Sequence, residues 1–437
     1  MIRMRASRRD VGGKCIFHLL YSYESLCDMK VLVVTACVAA MRRLIFEGWE
    51  HSAGLPSQEY VLRGMVKSGW TVDMIVSGAN LENEINIKAD WLNEINQITF
   101  VKRGDSILQK ILFMFKIRHA VKRALKQGKY DFVYFQGADG SPAISVATKK
   151  GIACGQRLFG TGHMIRALDP YGRFFVFLRY FPQYCAFVTR KEFLIITNDG
   201  SKPKEVCERL CGSRLPYRLE VWNNGVQYDQ GSLLQTYRNP SPSKPYIFYG
   251  ARVTLYKRQD RAIEVLHQLK EMGVDMDLVF AGDIEDRAYY QELLDLAQRY
   301  HLLDNIKFLG NIPSSLLASY RVFAQANLFM AQGTNRGNSL IEAMAIGSIV
   351  IVLDDRSCND FVEHYESGVL VQTCEDAVQA IVKIANDPRL AERLRAQSVR
   401  SCLTQFPSWD IRVQKELDYI EAVSYTHLRA HETELHL

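Results

Sequence analysis

Short apolar segments alternate with amphipathic segments along this chain, and the alternation occurs in both of its halves. In the first half, apolar strands are predicted at 31–34, 71–76, 98–101 and 131–135, with a helix at 57–68. In the second half the alternation runs from Tyr246 to Val371. Parallel strands need crossover connections, which are usually helices, so the pattern predicts parallel sheets with helices on both faces. We therefore expect an α/β protein with two Rossmann-like domains.

The boundary between the halves is predicted at 237–245, a polar segment that contains three prolines. Such a composition is typical of a linker between domains. It divides the chain into a first domain at 29–236 and a second domain at 246–407, and 437 residues are enough for both. Two facing domains of this type enclose a cleft, which is a frequent place for ligands.

The composition describes an ordinary globular protein. Hydrophobic residues make up 48% and charged residues 23%, and no apolar run approaches the ~20 residues that a membrane-spanning helix needs. The net charge of +6 is compatible with anionic substrates or a lipid surface without establishing either. The ten cysteines form no zinc-type CxxC pair, and Cys207 with Cys211 would lack two further metal ligands. We expect reduced thiols and a cytoplasmic location.

Both ends of the chain differ from this pattern. Residues 1–28 start with several arginines and contain only a short apolar run, which makes a poor signal peptide. Because a strand starts just after Met29, we expect 1–28 to be an upstream extension. Residues 424–437 resemble translated adapter sequence, so we expect a non-native tail there and do not interpret its three histidines as metal ligands.

The segment 333–347 combines a glycine-containing loop with the start of a short helix, and a strand at 348–353 follows. The free N–H groups and the dipole of a helix N-terminus suit a phosphate or a ring of hydroxyls. Glu342 lies in this helix among apolar residues, where a lone carboxylate needs a partner. Sugar or ribose hydroxyls would serve, and so would a nearby arginine or a backbone N–H; both alternatives stay open.

Two cations follow a buried strand predicted at 245–250. Arg252 and Lys257 lie five positions apart on a loop that leads into an amphipathic helix at 261–272. Arginine binds phosphate through a planar fork and lysine acts as a point charge, so the two can converge on one diphosphate. Open α/β sheets bind ligands at the carboxyl ends of their strands, which is where this loop lies.

Together these segments resemble the retaining glycosyltransferases of the GT4 family, or glycosyl transferases group 1, which have the GT-B fold. The resemblance covers roughly residues 29 to 421. The loop from Tyr249 through Lys257 resembles the family's diphosphate loop, and 342–347 resembles its most recognisable string. The segment 278–283 resembles the next strand with its glycine turn, and 308–312 resembles the following strand, whose trailing loop touches the nucleotide base in relatives. Relatives send the last helix back to the first domain, and 408–423 is the candidate here.

The resemblance implies transfer of a sugar from a nucleotide-diphosphate sugar to an acceptor hydroxyl, with retention of configuration. It implies a role in surface polysaccharide or glycolipid biosynthesis, with a glycan or a lipid-linked sugar as acceptor and without nucleic acid. Arg252 and Lys257 would stabilise the leaving diphosphate, and Glu342 would bind the ribose; these three are the catalytic candidates. The other donor-binding candidates are Gly250, Asn311, Ile312, Thr334, Asn335, Gly337, Asn338 and Ser339.

No metal or other cofactor is expected, because the two cations and a helix terminus can carry the diphosphate charge. The segment Asp275-Met276-Asp277 is literally the DxD motif of metal-dependent GT-A enzymes. It follows a glycine and precedes a strand, however, so it is predicted to be a solvated turn.

The chain departs from the family at one position. The family usually has two glutamates separated by seven residues, and the first would fall at Thr334, which carries no charge. Two alternatives therefore stay open. One is a catalytically impaired protein that only binds nucleotide sugar or glycan. The other is a GT-B sugar-nucleotide epimerase, which would need acid and base carboxylates in the cleft.

The first domain of this family binds the acceptor, and four residues are candidates for that role. Trp49 and Gly54 lie in the loop after the first strand, where the tryptophan could stack on a sugar or simply fill a gap. Gln136 ends the strand at 131–135. His163 lies shortly after the next strand and could bond the transferred sugar or be structural.

A segment at 107–129 has an apolar first half and a basic second half. Peripheral contact with an anionic membrane would explain it, and so would a buried start followed by a solvated end. The aromatic run at 174–181 is expected to belong to the core, with flanking arginines reaching solvent. The expected location is the cytoplasm, with peripheral contact at the inner face of the cell membrane as the open alternative.

Overall fold

The computed structural model describes residues 29–37, 39–47, 55–78, 88–104, 106–227, 237–240 and 244–434. Within them, seven parallel strands form the sheet of the first domain in the order β3-β2-β1-β4-β5-β6-β7. These strands are β1 (Lys30–Ala36), β2 (Thr71–Gly78), β3 (Gln97–Lys102), β4 (Phe132–Gln136), β5 (Cys154–Leu158), β6 (Phe193–Thr197) and β7 (Arg218–Trp222). The order reverses direction at β1, so the loops after β1 and β4 meet at a crevice.

The near-continuous apolar run of β1 exists because both faces of this sheet are covered. Val31 and Val33 pack into the core on one face, and Leu32 and Val34 pack into the core on the other. The described helices are α1 (Ala39–Arg42), α2 (Pro56–Lys67), α3 (Ile107–Gln127), α4 (Ile144–Thr148), α5 (Gly162–Arg179), α6 (Phe181–Val188) and α7 (Pro203–Cys211). A π-helical turn at Arg43–Glu47 continues α1, and α5 is kinked at Gly172.

The second domain repeats this architecture with six parallel strands among the described residues, in the order β10-β9-β8-β11-β12-β13. These are β8 (Tyr246–Gly250), β9 (Asp277–Ala281), β10 (Ile306–Phe308), β11 (Ala326–Phe329), β12 (Val350–Leu353) and β13 (Val369–Val371). Their helices are α8 (Gln259–Glu271), α9 (Arg287–Arg299), α10 (Ser314–Phe323), α11 (Asn338–Ala345), α12 (Cys374–Asn386) and α13 (Pro388–Gln405). The expected α/β class with two parallel sheets is confirmed.

The expected strand at 308–312 is wrong in its position. The strand β10 ends at Phe308, and the residues after it form a loop. Gly310 has a φ of 63°, a left-handed conformation that turns the chain out of the strand. Pro313 then lacks the N–H that a continuing strand would need.

The last helix, α14 (Trp409–Glu434), packs against the first domain. Trp409 stacks on Tyr60 of α2 at 4.8 Å between ring centroids. At Gly64 a Cβ atom would lie 2.3 Å from Cγ1 of Val413, so this glycine lets the two helices approach closely. Just before α14, the N–H of Val226 donates to Pro407 O at 2.9 Å, and Val226 also pairs with Ser408 in a β-bridge.

Glu416 anchors α14 through charges that are fully buried. Its carboxylate forms a close ion pair with Arg157 of β5, accepts a hydrogen bond from the hydroxyl of Tyr134 on β4, and lies 2.7 Å from Nη2 of Arg412. Burial alone would raise the pKa of Glu416, but the charges of Arg157 and Arg412 outweigh burial and hold that pKa below its usual value.

The start of α3 is exposed, which excludes the alternative of a buried start. A capping box between Ser106 and Gln109 fixes the first turn, so the helix begins before it reaches the core. The exposed side chains, called the α3 patch below, are Ile107, Leu108, Ile111, Leu112 and Phe115.

The aromatic run at 174–181 is also not core. Phe174 is 72% exposed and Leu178 63%, whereas Val176 is buried. The helix α5 is kinked at Gly172, just before this run. None of the helices among the described residues is long and apolar enough to span a membrane.

Candidate functional site

The loop after β8 carries the two predicted cations, and hydrogen bonds from buried side chains of the same domain hold its backbone. A single 3₁₀ turn at Leu255–Lys257 leads into α8. Gln259 donates to the main-chain oxygen of Arg252 at 2.8 Å, and the hydroxyl of Tyr249 donates to the main-chain oxygen of Lys257. The buried base of the domain therefore fixes both backbones, while both side chains extend beyond the carboxyl end of the sheet.

Arg252 and Lys257 differ in how their charges are satisfied. Arg252 has 61% of its side chain exposed, and its Nη1 lies 2.7 and 2.8 Å from the carboxylate oxygens of Glu285. Lys257 is partly buried with its Nζ 5.0 Å from the ring centre of Tyr256, and none of the described residues accepts a hydrogen bond from that ammonium. Burial and, to a lesser extent, the nearby charge of Arg252 together lower the pKa of Lys257 to about 8. An ammonium in this condition favours an incoming anion.

The N-terminus of α11 lies directly against this loop. Gly337 is the N-cap, and a Cβ atom placed on it would meet nothing within 4 Å. Among the described residues, no acceptor takes the N–H groups of Asn338 and Ser339. Ser339 Oγ donates to the main-chain oxygen of Gly250 at 2.8 Å, which joins the helix to the end of β8. The two predicted donor motifs, one ending at Lys257 and the other beginning at Gly333, thus form one anion-binding corner.

Glu342 has the arginine partner that was one of the two alternatives. Its Oε2 accepts from Nη1 of Arg321 at 3.0 Å, and Arg321 also donates to Ser339 Oγ at 2.7 Å. Arg321 is only 6% exposed, whereas 44% of the Glu342 side chain remains exposed. The arginine therefore orients the carboxylate and leaves part of it open to a ligand.

Thr334 connects the loop before α11 to the first domain. Its hydroxyl donates to the main-chain oxygen of Asp199, just after β6, at 2.6 Å. Its own main-chain oxygen accepts from the hydroxyl of Tyr256 at 3.1 Å. Asn335 beside it is only 6% exposed and its side chain bonds to Ala331 N and Leu353 O, so it shapes the loop from inside.

Arg336 makes a second connection across the cleft that the sequence did not indicate. Its Nε donates to Asn198 O at 3.1 Å and its Nη2 to Asn223 Oδ1 at 3.0 Å, both in the first domain. Its Nη1 bonds to Asp360 of the second domain at 2.5 Å. A buried arginine with acceptors on both sides holds the donor loop in one position.

Asn338 also has a partner in the first domain. Its Oδ1 accepts from Nδ2 of Asn224 at 2.9 Å, and Asn224 in turn accepts from Nη2 of Arg157 at 2.9 Å. The first turn of α11 is thereby linked to the buried charges that anchor α14. Asn311 and Ile312 lie in the loop after β10, where Asn311 is exposed and Ile312 packs against a satellite core.

Of the four acceptor-side candidates, the structure describes the side chain of one. Gln136 is fully buried, and its side-chain oxygen accepts from Thr35 at 3.2 Å. It belongs to the packed carboxyl end of the first sheet and not to the surface of the cleft, because Thr35 and Gln58 cover it. Trp49, Gly54 and the side chain of His163 lie outside the described residues.

No metal-binding cluster of three or more His, Cys, Asp or Glu side chains occurs in the described part of the chain. The DxD segment is not the predicted solvated turn: the turn lies just before it, at 272–273, and the second aspartate begins β9. The carboxylate of Asp275 is 71% exposed and lies 2.7 Å from Lys244 and 2.5 Å from Lys270, whereas Asp277 is buried at the start of β9. Both carboxylates therefore form ion pairs with lysines at the domain surface.

Residues 236–400 match the family model of glycosyl transferases group 1. No curated protein sequence is significantly similar to the chain. Sucrose-phosphate synthase from Thermosynechococcus elongatus is 17% identical with a TM-score of 0.67, covering 93% of this chain and 99% of that one. Anabaena HepE in complex with UDP and glucose is 14% identical with a TM-score of 0.63, covering 90% of this chain and 100% of that one.

A glycosyltransferase from Rickettsia africae is 13% identical with a TM-score of 0.63, and the match covers 91% of this chain and 98% of that one. At these identities the similarity establishes the architecture. The expected GT-B fold, with two facing Rossmann-like domains, is confirmed.

Proposed function

Because residues 236–400 belong to the glycosyl transferases group 1 family, we propose that this protein is a retaining, GT4-like hexosyltransferase that uses a nucleotide-diphosphate sugar. The supporting observation is the corner formed by Arg252, Lys257 and the open N-terminus of α11. An ammonium without an acceptor and two free N–H groups in the same place have the chemistry of a diphosphate site.

The proposed reaction breaks the bond between the anomeric carbon and the diphosphate oxygen and forms a bond to an acceptor oxygen on the same face of the sugar. The acceptor proton goes to an oxygen of the departing diphosphate, so no enzyme base is required. Negative charge develops on the diphosphate, and preorganised cations and N–H dipoles stabilise it. Arg252 and Lys257 would supply that charge in place of a metal ion, and Arg252 would exchange Glu285 for phosphate oxygens.

The exposed part of the Glu342 carboxylate would accept hydrogen bonds from the ribose, oriented by Arg321. Asn311 and Ile312 would lie beside the base. Gly337 would let the diphosphate approach the backbone, since a side chain at that position would project into open space above the helix. HepE and its complex with UDP and glucose make uridine the first base to test.

The α3 patch supports a lipid-linked acceptor and peripheral binding to an anionic membrane. Ile107 is 80% exposed, Leu108 67% and Phe115 65%. A groove of about 780 Å³ between α3 and the edge strand β3 adjoins the patch at Phe115, and Lys102, Lys116 and Arg123 line it. Apolar side chains beside clustered cations match a bilayer with acidic headgroups. The patch follows β3 and therefore starts at the carboxyl end of the first sheet, the end at which open α/β sheets bind ligands. We place the protein at the cytoplasmic face of the cell membrane, in surface polysaccharide or glycolipid biosynthesis.

The test is thermal unfolding of residues 29–434 with a panel of uridine, guanosine and adenosine diphosphates and their sugars. A ligand at ~100 times its dissociation constant adds ~2.7 kcal/mol to the free energy of unfolding. We expect one nucleotide class to stabilise the protein, and Arg252→Ala to weaken that effect. The control is Arg389→Ala, an exposed arginine at the start of α13.

Transfer or slow hydrolysis of the stabilising donor would then distinguish an enzyme from a protein that only binds. Loss of donor stabilisation in the control but not in Arg252→Ala, or no stabilisation by any nucleotide, would refute the proposal. Stabilisation without any turnover would favour the binding protein suggested by Thr334, and conversion to an epimeric sugar nucleotide would identify an epimerase.

A further inference from the structure

Asp199 lies at the carboxyl end of the first sheet, where its main chain contacts the donor loop of the second domain. It follows β6 by two residues. Its main-chain oxygen accepts the hydroxyl of Thr334 at 2.6 Å, so the two domains touch at this residue. The position is notable because Thr334 is where the family's usual first glutamate is missing.

The surroundings of Asp199 hold its carboxylate in one orientation. Oδ1 accepts from the N–H of Ser201 at 3.1 Å and also from the hydroxyl of Ser201. That hydroxyl accepts from the N–H of Thr161 at 2.8 Å, which fixes the loop after β5 to the loop after β6. These hydrogen bonds hold the Asp199 carboxylate in one side-chain conformation.

The second carboxylate oxygen, Oδ2, lies against Gly160 and has no hydrogen-bond partner among the described residues. At Gly160, whose φ is 134°, an added Cβ atom would lie only 1.9 Å from Oδ2 of Asp199, so only glycine leaves space for this oxygen. Within the described residues, no hydrogen-bond donor reaches Oδ2 and no cation pairs with the carboxylate. Burial raises the pKa of Asp199, against the opposing effect of the Ser201 hydrogen bonds and the charge of Arg336.

A short series of contacts leads from the phosphate corner to the main chain of Asp199. Lys257 Nζ lies 5.0 Å from the ring centre of Tyr256, the hydroxyl of Tyr256 donates to Thr334 O, and the hydroxyl of Thr334 donates to Asp199 O. A group attached to a diphosphate at Lys257 and directed into the cleft therefore extends towards Asp199. A neutral group with several O–H donors, as in a sugar, satisfies a carboxylate oxygen without the cost of pairing two buried charges.

We propose that Asp199 binds the donor sugar: its Oδ2 accepts a hydrogen bond from a hydroxyl of the sugar that is transferred. Asp199 belongs to the first domain, whereas Thr334 belongs to the second. The inference rests on the proposed function, since it requires a nucleotide sugar in the cleft. The free nucleotide lacks this sugar hydroxyl, so Asp199 would contribute to binding of the nucleotide sugar but not of the free nucleotide.

The experiment compares affinities for UDP-glucose and UDP, or for the matching pair of the nucleotide class that the panel selects, by titration calorimetry. We expect Asp199→Asn and Asp199→Ala to bind the free nucleotide within about twofold of the unmodified protein. We expect both to lose about tenfold or more in affinity for the nucleotide sugar, the size of one hydrogen bond to a charged group. Unchanged binding of the free nucleotide also shows that each variant is folded.

Thr334→Val serves as the matched comparison, because it removes the hydrogen bond between the domains and keeps the carboxylate. If Asp199 only holds the loop, its variants and Thr334→Val will weaken the free nucleotide and the nucleotide sugar equally, and the inference is overturned. Equal affinities for both ligands in the unmodified protein would also overturn it, while leaving the nucleotide site in place. Absence of any nucleotide binding would instead be a failure of the proposed function.

Discussion

The partly buried ammonium of Lys257 predicts a specific pH dependence of nucleotide binding. Its pKa is lowered to about 8 in the ligand-free protein, first by burial and then by the charge of Arg252. A bound diphosphate favours the protonated form, so the affinity is complete below pH 8 and falls as the pH rises through that value. From the protonated fraction, the dissociation constant for UDP rises about tenfold between pH 7 and pH 9.

Titration calorimetry measures this effect in two independent ways. The dissociation constant is followed across the pH range, and binding at pH 8 is repeated in buffers of different ionisation enthalpy. Because Lys257 is then about half protonated, binding should take up roughly half a proton. Titration of the nucleotide itself is removed by comparison with Lys257→Arg, which stays charged throughout the range.

The Arg variant should therefore show a flatter pH profile, and Lys257→Met should bind weakly at every pH. Equal slopes for Lys257 and its Arg variant, with no proton uptake at pH 8, would refute the assignment of Lys257 to the diphosphate. Protonation of Lys257 has the opposite effect on the stability of the ligand-free protein. Since the folded pKa lies below the unfolded value, protonated Lys257 disfavours folding below pH 8, and Lys257→Met should unfold at a higher temperature than the unmodified protein at pH 7.

Two further perturbations test the membrane surface and the anchor of the last helix. The double variant Phe115→Ser and Leu108→Ser should reduce sedimentation with vesicles that contain acidic lipids at least tenfold. The control is Leu303→Ser, at an exposed leucine of the second domain, which should not reduce it. Binding to neutral vesicles alone, or unchanged sedimentation of the double variant, would contradict a role of the α3 patch. Glu416→Ala leaves Arg157 buried without a counter-charge, so it should lower the free energy of unfolding by about 3–5 kcal/mol. Asp418→Ala, on the exposed face of α14, should lower it by about 0.5 kcal/mol or less. Equal losses in a denaturant titration would contradict the proposed anchor.

Local sequence was a good guide wherever the structure is built from neighbouring residues. The buried strand ending at Gly250, the loop with Arg252 and Lys257 and the helix containing Glu342 all form as the patterns predict. Their joint location follows from the rule that ligands bind at the carboxyl ends of parallel strands. The end of β10 was misplaced because Gly310 turns the chain, although hydrophobic residues continue beyond it.

The remaining features depend on contacts between residues far apart in the chain. Arg336 meets Asn198 and Asn223 only after both domains have folded, and nothing in the sequence around it distinguishes it from a surface arginine. The exposure of the α3 patch was equally hidden, since an apolar helix start is compatible with a core or with a lipid surface. The close approach of Gly160 to Oδ2 of Asp199 is visible only in three dimensions.

The pairing of Val226 with Pro407 and Ser408 brings together the two places where the chain passes between the domains. One passage leaves the first domain after Val226, and the other returns to it at Trp409. Two adjacent covalent crossings act like a door hinge, so any change in the angle between the domains must be taken up at this edge. Contacts away from it, such as the ion pair between Arg43 and Asp283, would separate most. Release of a spent nucleotide would then depend on how easily the free edge opens, and its rate could be tuned there without altering a single residue that touches the donor.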